Sequence, residues 1–137
     1  MEKSILLDTI YECVEACENL ATACTHSPDK KIGNNCLSEA IDCADAGMIL
    51  IIRLNEEPHS LHRNLFKQFV SYCKECINAC EKHHINQALR AAITCKKAIQ
   101  FCSLYVTEHV HVDEYQFATP SQSRKNFTQR WKPVATE

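Results

Sequence analysis

The sequence contains few of the residues that interrupt helices. Of its 137 residues, 2 are glycine and 4 are proline. Because glycine and proline mark turns, their scarcity argues against a turn-rich β fold and favours a few long helices. A chain of this length is expected to form one domain with a substantial hydrophobic core.

The sequence lacks the features that membrane-spanning, nucleic-acid-binding and exported proteins require. No stretch reaches the roughly 18 apolar residues that a membrane-spanning helix needs, so no membrane association is predicted. The formal net charge of -2 gives no electrostatic basis for binding nucleic acid or an anionic membrane surface. Residues 1–8 contain neither the long apolar region nor the cleavage site of an export signal. We therefore expect a cytoplasmic protein.

Cysteine, by contrast, is abundant. All 10 cysteines lie between Cys13 and Cys102, a density that approaches that of a disulfide scaffold in a short secreted chain. Structural disulfides are rare in the reducing cytoplasm, so we interpret these residues as free thiols. The densest stretch contains Cys73, Cys76 and Cys80, which are separated by three and then four residues. This spacing places the three thiols on one face of a helix.

The same face continues along the chain in both directions. It includes His62, Phe66 and Phe69 on one side and His83 on the other. Three other segments show the same alternation of three-residue and four-residue steps, which is typical of helices that pack along a shared seam. The seams are Leu6, Ile10, Cys13, Cys17, Leu20, Cys24; then Cys36, Ala40, Cys43, Gly47, Leu50, Leu54; and finally Ala88, Ala92, Cys95, Ile99, Cys102, Val106, His109.

The breaks between the seams predict four helices with short connections. Such a chain forms an all-α, antiparallel up-down-up-down four-helix bundle. We expect Asn34 or Asn35 to cap the second helix, Pro58 to lie in the first turn of the third, and Gly47 to make room for a neighbouring helix or for the contents of the core. The predicted segments are a helix over about 4–26, a polar loop over 27–34, a second helix ending at 55–58, helices over about 59–83 and 87–111, a bundle domain over 1–112 and a C-terminal tail over 113–137.

An antiparallel bundle arranges the thiols in layers. We expect Cys24, Cys36 and Cys80 near one open end, which we call the mouth, with His26, His83 and His84 around it. About seven residues deeper, roughly 10 Å at the helical rise, we expect Cys17, Cys43, Cys95 and either Cys73 or Cys76. Cys13 and Cys102 are expected to lie deeper still, above an apolar plug that contains Phe66 and Phe69.

Ten inward-facing thiols indicate a site for a soft metal. Packing alone would favour leucine, isoleucine and alanine, whereas thiolates select Cu(I), zinc and iron–sulfur clusters. Zinc sites usually use a Cys-x2-Cys knuckle in loops, and here only Cys73 and Cys76 have that spacing, in the middle of a helix. The tight loop spacings of iron–sulfur proteins are absent. Thiols one turn apart on straight helices favour Cu(I), which accepts two or three sulfur ligands.

This pattern resembles that of the Cys-lined four-helix-bundle copper storage proteins. The resemblance is carried by residues 13–17, 36–43, 73–80 and 95–102 and covers about residues 4–110. It implies a cytoplasmic protein that assembles as a homo-oligomer, specifically a tetramer, and holds many Cu(I) ions between pairs of core cysteines. The sequence differs from the family pattern in having fewer thiols and an apolar lower third.

We therefore predict a non-enzymatic copper-homeostasis protein whose partners are copper ions. A zinc or general soft-metal buffer and a thiol redox protein remain alternatives. A di-iron enzyme is disfavoured because it needs inward glutamates, and Glu81, which precedes His84 by three residues, lies off the seam. The predicted metal ligands are Cys13, Cys17, Cys24, Cys36, Cys43, Cys73, Cys76, Cys80, Cys95, Cys102 and His83.

Overall fold

The computed structural model describes residues 1–26 and 30–118, and the side chains within 1–26 and 36–109. The described residues form four helices and no strand. The helices are α1 Lys3–His26, α2 Lys30–Glu56, α3 Arg63–Cys80 and α4 Asn86–Ala118. The prediction of an all-α fold is confirmed.

The four helices form a closed bundle. Helix α1 packs against α2 and α4, and α3 packs against the same two helices. Consecutive helices are joined by short connections and therefore run antiparallel. This arrangement gives each helix an inner stripe that faces the other three, which confirms the predicted bundle.

The second helix begins earlier than the sequence predicted. We expected a polar loop over 27–34. Residues 27–29 lie outside the described residues, but α2 begins at Lys30 and includes Gly33, Asn34 and Asn35. An isolated glycine costs a helix only about 1 kcal/mol relative to alanine, so the turn signals at these positions do not end it. The predicted asparagine cap is therefore wrong.

The third helix is shorter than predicted at both ends. Pro58 lies in a turn and not in the first turn of α3. The chain enters α3 through His62, whose left-handed backbone (φ 58°, ψ 46°) cannot continue a helix. The His62 side chain is fully buried and its Nε2 lies 3.0 Å from the carbonyl oxygen of Glu57. At the other end, α3 stops at Cys80, so His83 lies in the following turn.

The fourth helix is longer than predicted. It continues to Ala118 and not to His111, so the expected boundary after residue 112 falls inside a helix. The remainder of the predicted tail, residues 119–137, lies outside the described residues. No described helix combines the length and hydropathy needed to cross a bilayer.

The deep end of the bundle is filled by hydrocarbon and aromatic side chains. Phe69 is fully buried, and Phe66 stacks on Tyr105 with ring centroids 5.8 Å apart. Gly47 allows α1 and α3 to approach α2 here. A β-carbon at Gly47 would lie 2.5 Å from Val14 Cγ2 and 3.0 Å from Phe69 Cε1. This confirms the prediction that Gly47 makes room for neighbouring helices, and this plug closes one end of the core.

Candidate metal centre

All ten cysteine side chains are buried and free. The most exposed of them, Cys24, has 4% of its surface accessible to solvent. None is in a disulfide. The burial follows from the seam spacing, since every thiol takes a position that faces the other helices. The prediction that the core is lined with thiols is confirmed.

Four thiols, one from each helix, form what we call the lower cluster. It consists of Cys13, Cys43, Cys73 and Cys95, whose sulfur atoms all lie within 4.8 Å of one another. The Cys13–Cys95 and Cys43–Cys73 sulfur pairs are each 3.6 Å apart. These atoms could surround a single metal ion or bridge several.

A second group, the upper cluster, lies next to the first and shares a residue with it. It consists of Cys17, Cys76 and Cys95, again with sulfurs within 4.8 Å. Cys17 Sγ lies 4.0 Å from Cys76 Sγ and 3.9 Å from Cys95 Sγ. Because Cys95 belongs to both clusters, we expect the six cysteines to behave as one sulfur network in which a single thiolate can serve two ions.

The network continues to the mouth thiols. Cys76 Sγ lies 3.9 Å from Cys80 Sγ. Cys36 Sγ donates to the carbonyl oxygen of Ala79 at 3.8 Å and also interacts with the Cys24 thiol. The sequence-based placement of Cys24, Cys36 and Cys80 near one end is thus consistent with the structure, and a stepwise path of thiols runs from there to the lower cluster.

The layer predicted for Cys13 is wrong. We expected Cys13 deep in the bundle beside Cys102, but it lies in the lower cluster. Helices α1 and α3 each supply two thiols about one turn apart, Cys13 with Cys17 and Cys73 with Cys76, and Cys95 lies close to both pairs. The predicted layers were counted in steps of seven residues, so they could not assign two thiols of one helix to neighbouring levels. Cys102 is fully buried and belongs to neither cluster.

Hydrogen bonds among the thiols make their acidities unequal. Such bonds, from Cys17 first in each case, lower the pKa of Cys13 and the pKa of Cys76. Conversely, the hydrogen bond with Cys13 is the largest of the causes that raise the pKa of Cys43 and the pKa of Cys95. Each cluster therefore contains one thiol, Cys13 or Cys76, that is favoured as a thiolate. Thiolates are the form that binds metals.

The remaining thiols are held in the protonated form. Burial raises the pKa of Cys102 to about 12. Burial, followed by the neighbouring Cys24, raises the pKa of Cys36 to about 12. Burial also raises the pKa of Cys24. A metal that binds these residues must displace their protons.

His83 lies next to the mouth but in neither cluster. Its backbone N–H donates to the carbonyl oxygen of Cys80 at 3.0 Å. Its Nε2 atom has essentially no solvent exposure and no hydrogen-bond partner among the described residues. By contrast, the His26 Nδ1 lies 2.9 Å from the Thr22 carbonyl oxygen on the exposed side of α1, and His84 is exposed. Of the three histidines at this end, His83 is thus the one with a buried ring nitrogen that has no hydrogen-bond partner among the described residues.

One polar residue near the mouth was missed in the sequence. Glu39 lies on the flank of α2, off the seam, where we expected no inward acid. The side chain is nevertheless partly buried, and Oε1 has no partner among the described residues. The signal that could have identified it is its spacing, because Glu39 follows Cys36 by three residues and lies on nearly the same side of the helix.

Comparison with known protein families supports a metal-related role for this core. A family model described as "Csp: Copper storage protein" matches residues 1–107. The match includes all ten cysteines and His83. No curated protein and no solved structure matches the chain significantly.

Proposed function

Because the chain belongs to the copper storage protein family, we propose that it binds and stores several Cu(I) ions through the thiolates of its core. The observation that carries this proposal is the sharing of Cys95 between two thiol clusters. Shared thiolates let one set of sulfurs hold more ions than separate sites would. Storage of about as many ions as there are thiols requires such sharing, because each Cu(I) ion needs at least two sulfur ligands.

The chemistry of the lining favours Cu(I). Within the described core, the groups positioned to bind a metal are cysteine sulfurs, without carboxylates in either cluster. Sulfur is a soft ligand and suits the soft, monovalent ion. One positive charge per thiolate also leaves the filled core near neutrality, which limits the cost of charges in a dry interior.

A zinc buffer is the second candidate, and a specific observation favours it. The lower cluster supplies four thiols from four helices, which is the ligand number of a tetrahedral zinc site. Zinc bound there would occupy Cys95 and leave Cys17 and Cys76 of the upper cluster incomplete. Copper storage and zinc buffering therefore predict different numbers of metal ions bound per chain.

We assign a role to each ligand by its position between the mouth and the deep end of the bundle. Cys24, Cys36 and Cys80 receive ions at the mouth, with His83 as a transient ligand there. The two clusters hold most of the ions, and Cys102 lies at the deep end. Uptake from the opposite end is disfavoured because Phe66 and Phe69 fill it. In this proposal the protein binds and releases ions and performs no catalysis.

Assembly into a homo-oligomer is part of the proposal. It is supported by large apolar side chains on the outside of two helices. Ile41, Ile49 and Ile52 on α2 and Leu89, Ile93 and Leu104 on α4 each have between 41% and 59% of their surface exposed. Placement in the cytoplasm stays a prediction from the sequence.

A competitive titration tests the function. Reduced apoprotein is titrated with Cu(I) and, separately, with Zn(II) in the presence of chelators of known affinity. We expect a Cu(I) capacity well above two per chain and up to about ten, one per thiolate, against about two for zinc with unshared tetrahedral sites. A plateau at one or two Cu(I), together with tighter zinc binding, would replace storage of copper by a zinc site.

A further inference from the structure

Glu39, on the same helix as the mouth thiol Cys36, has a buried carboxylate oxygen. It lies three residues, or about one helical turn, after Cys36 on α2. The side chain is partly buried, and its Oε1 has essentially no solvent exposure and no hydrogen-bond partner among the residues whose side chains are described. Other acidic residues behave differently: Glu81 pairs with Lys96 and Glu12 with Lys97 on the exterior.

An unpartnered buried carboxylate oxygen is unfavourable for the empty protein. Loss of hydration without a compensating hydrogen bond destabilises the folded state. The charge is felt at the mouth, since Glu39 is one of the groups whose field reaches Cys36. A cation arriving between Glu39 and the mouth thiols would offset this cost, because attraction between opposite charges is strong where water is scarce.

We propose that Glu39 draws the copper cation to Cys24 and Cys36 during uptake. A carboxylate is a hard ligand and holds Cu(I) poorly, so the ion passes on to the thiolates. Glu39 is then a positioning residue that sets the rate of uptake and leaves the capacity unchanged. This inference rests on the proposed storage of Cu(I).

The charge of the copper donor provides the test. Glu39→Gln keeps the size of the side chain and removes its charge. Uptake by reduced apoprotein is followed by stopped flow from two donors, the cationic acetonitrile complex of Cu(I) and the anionic bathocuproine disulfonate complex. We expect uptake from the cation to slow by about three- to tenfold at low ionic strength, with the difference shrinking at high salt. Uptake from the anion should be unchanged or faster, and the final capacity equal.

Two variants serve as controls. Glu18→Gln removes the same charge from an exposed position on α1 and should have little effect. Glu39→Asp keeps the charge and should retain most of the rate with the cationic donor. Equal slowing with both donors, or an effect no larger than that of Glu18→Gln, would refute the role of Glu39. Failure of the wild-type chain to take up more than two Cu(I) would instead refute the storage function itself.

Discussion

The sulfur atoms of Cys13 and Cys95 lie 3.6 Å apart, although the two residues are separated by 82 positions in the chain. This contact joins α1 to α4 inside the lower cluster. Cys95 also lies 3.9 Å from both Cys17 and Cys43. Its central position makes Cys95 the residue that joins the two clusters.

Replacement of Cys95 should reduce the copper capacity more than replacement of any peripheral thiol. Because Cys95 is shared, Cys95→Ser should remove more than one Cu(I) per chain. Cys102→Ser is the matched control, since Cys102 is equally buried, lies on the same helix and belongs to neither cluster. Capacity is measured by Cu(I) titration with a competing chelator. Identical losses for the two variants would argue against a shared thiolate.

His83 should affect the rate of copper uptake more than the amount bound. Its Nε2 atom is buried, has no hydrogen-bond partner among the described residues and lies near the mouth. His83→Ala should therefore slow Cu(I) uptake several-fold with nearly unchanged capacity. His84→Ala is the control, because His84 is exposed in the same turn. The rate of Cu(I) uptake from a single donor, measured by stopped flow, distinguishes the two variants. Equal rates in wild type and His83→Ala would remove His83 from the uptake path.

The apoprotein should lose stability in alkaline solution. Burial raises the pKa of Cys102, and burial with the neighbouring Cys24 raises the pKa of Cys36, each from 9.0 to about 12. The folded chain therefore holds these protons more tightly than the unfolded chain. The corresponding stabilisation is complete below about pH 9 and is lost as the pH rises towards about 12.

Thermal unfolding between about pH 8 and about pH 11, followed by circular dichroism under reducing conditions, measures this effect. The unfolding temperature should fall across that interval. Cys102→Ala removes one of the two thiols and should flatten the dependence. A constant unfolding temperature in the wild-type chain would contradict the assigned pKa directions.

Copper binding should release protons for the same reason. Thiols that are protonated in the apoprotein must ionise to bind metal, so the apparent affinity for Cu(I) should weaken as the pH falls. Proton release into a weakly buffered solution with a pH indicator gives the number of protons per ion. Binding without proton release would show that the thiols are already ionised in the empty core.

Gly47→Ala should destabilise the bundle. Alanine is favoured over glycine in a helix by about 1 kcal/mol, but its β-carbon would lie 2.5 Å from Val14 Cγ2. Overpacking of this kind costs about 1–3 kcal/mol. Urea unfolding measures the change. The double variant Gly47→Ala with Val14→Ala should be less destabilised than the sum of the two single variants, and simple additivity would contradict a steric cause.

Much of the fold could be predicted because helix periodicity is a local property. The three- and four-residue steps from Cys13 to Cys24 or from Cys95 to Cys102 place each thiol on an inner face whatever the partner helix is. Helix ends were predicted less well. Gly33 does not interrupt α2, and α3 begins only after His62, which has a left-handed backbone. Such boundaries depend on contacts with other parts of the chain and not on the local sequence alone.

The sequence by itself determined that the protein is a helical bundle with ten inward thiols. Repetition along a single helix is enough to set which side of that helix is buried. Only the tertiary structure decided which thiols meet. Cys13 lies next to Cys95 because packing, including the close approach at Gly47, sets how far each helix is shifted along its axis relative to the others. The seam of a single helix does not determine that shift. The burial of the Glu39 Oε1 atom was likewise decided by the tertiary structure, because the seam of α2 gave no sign of it.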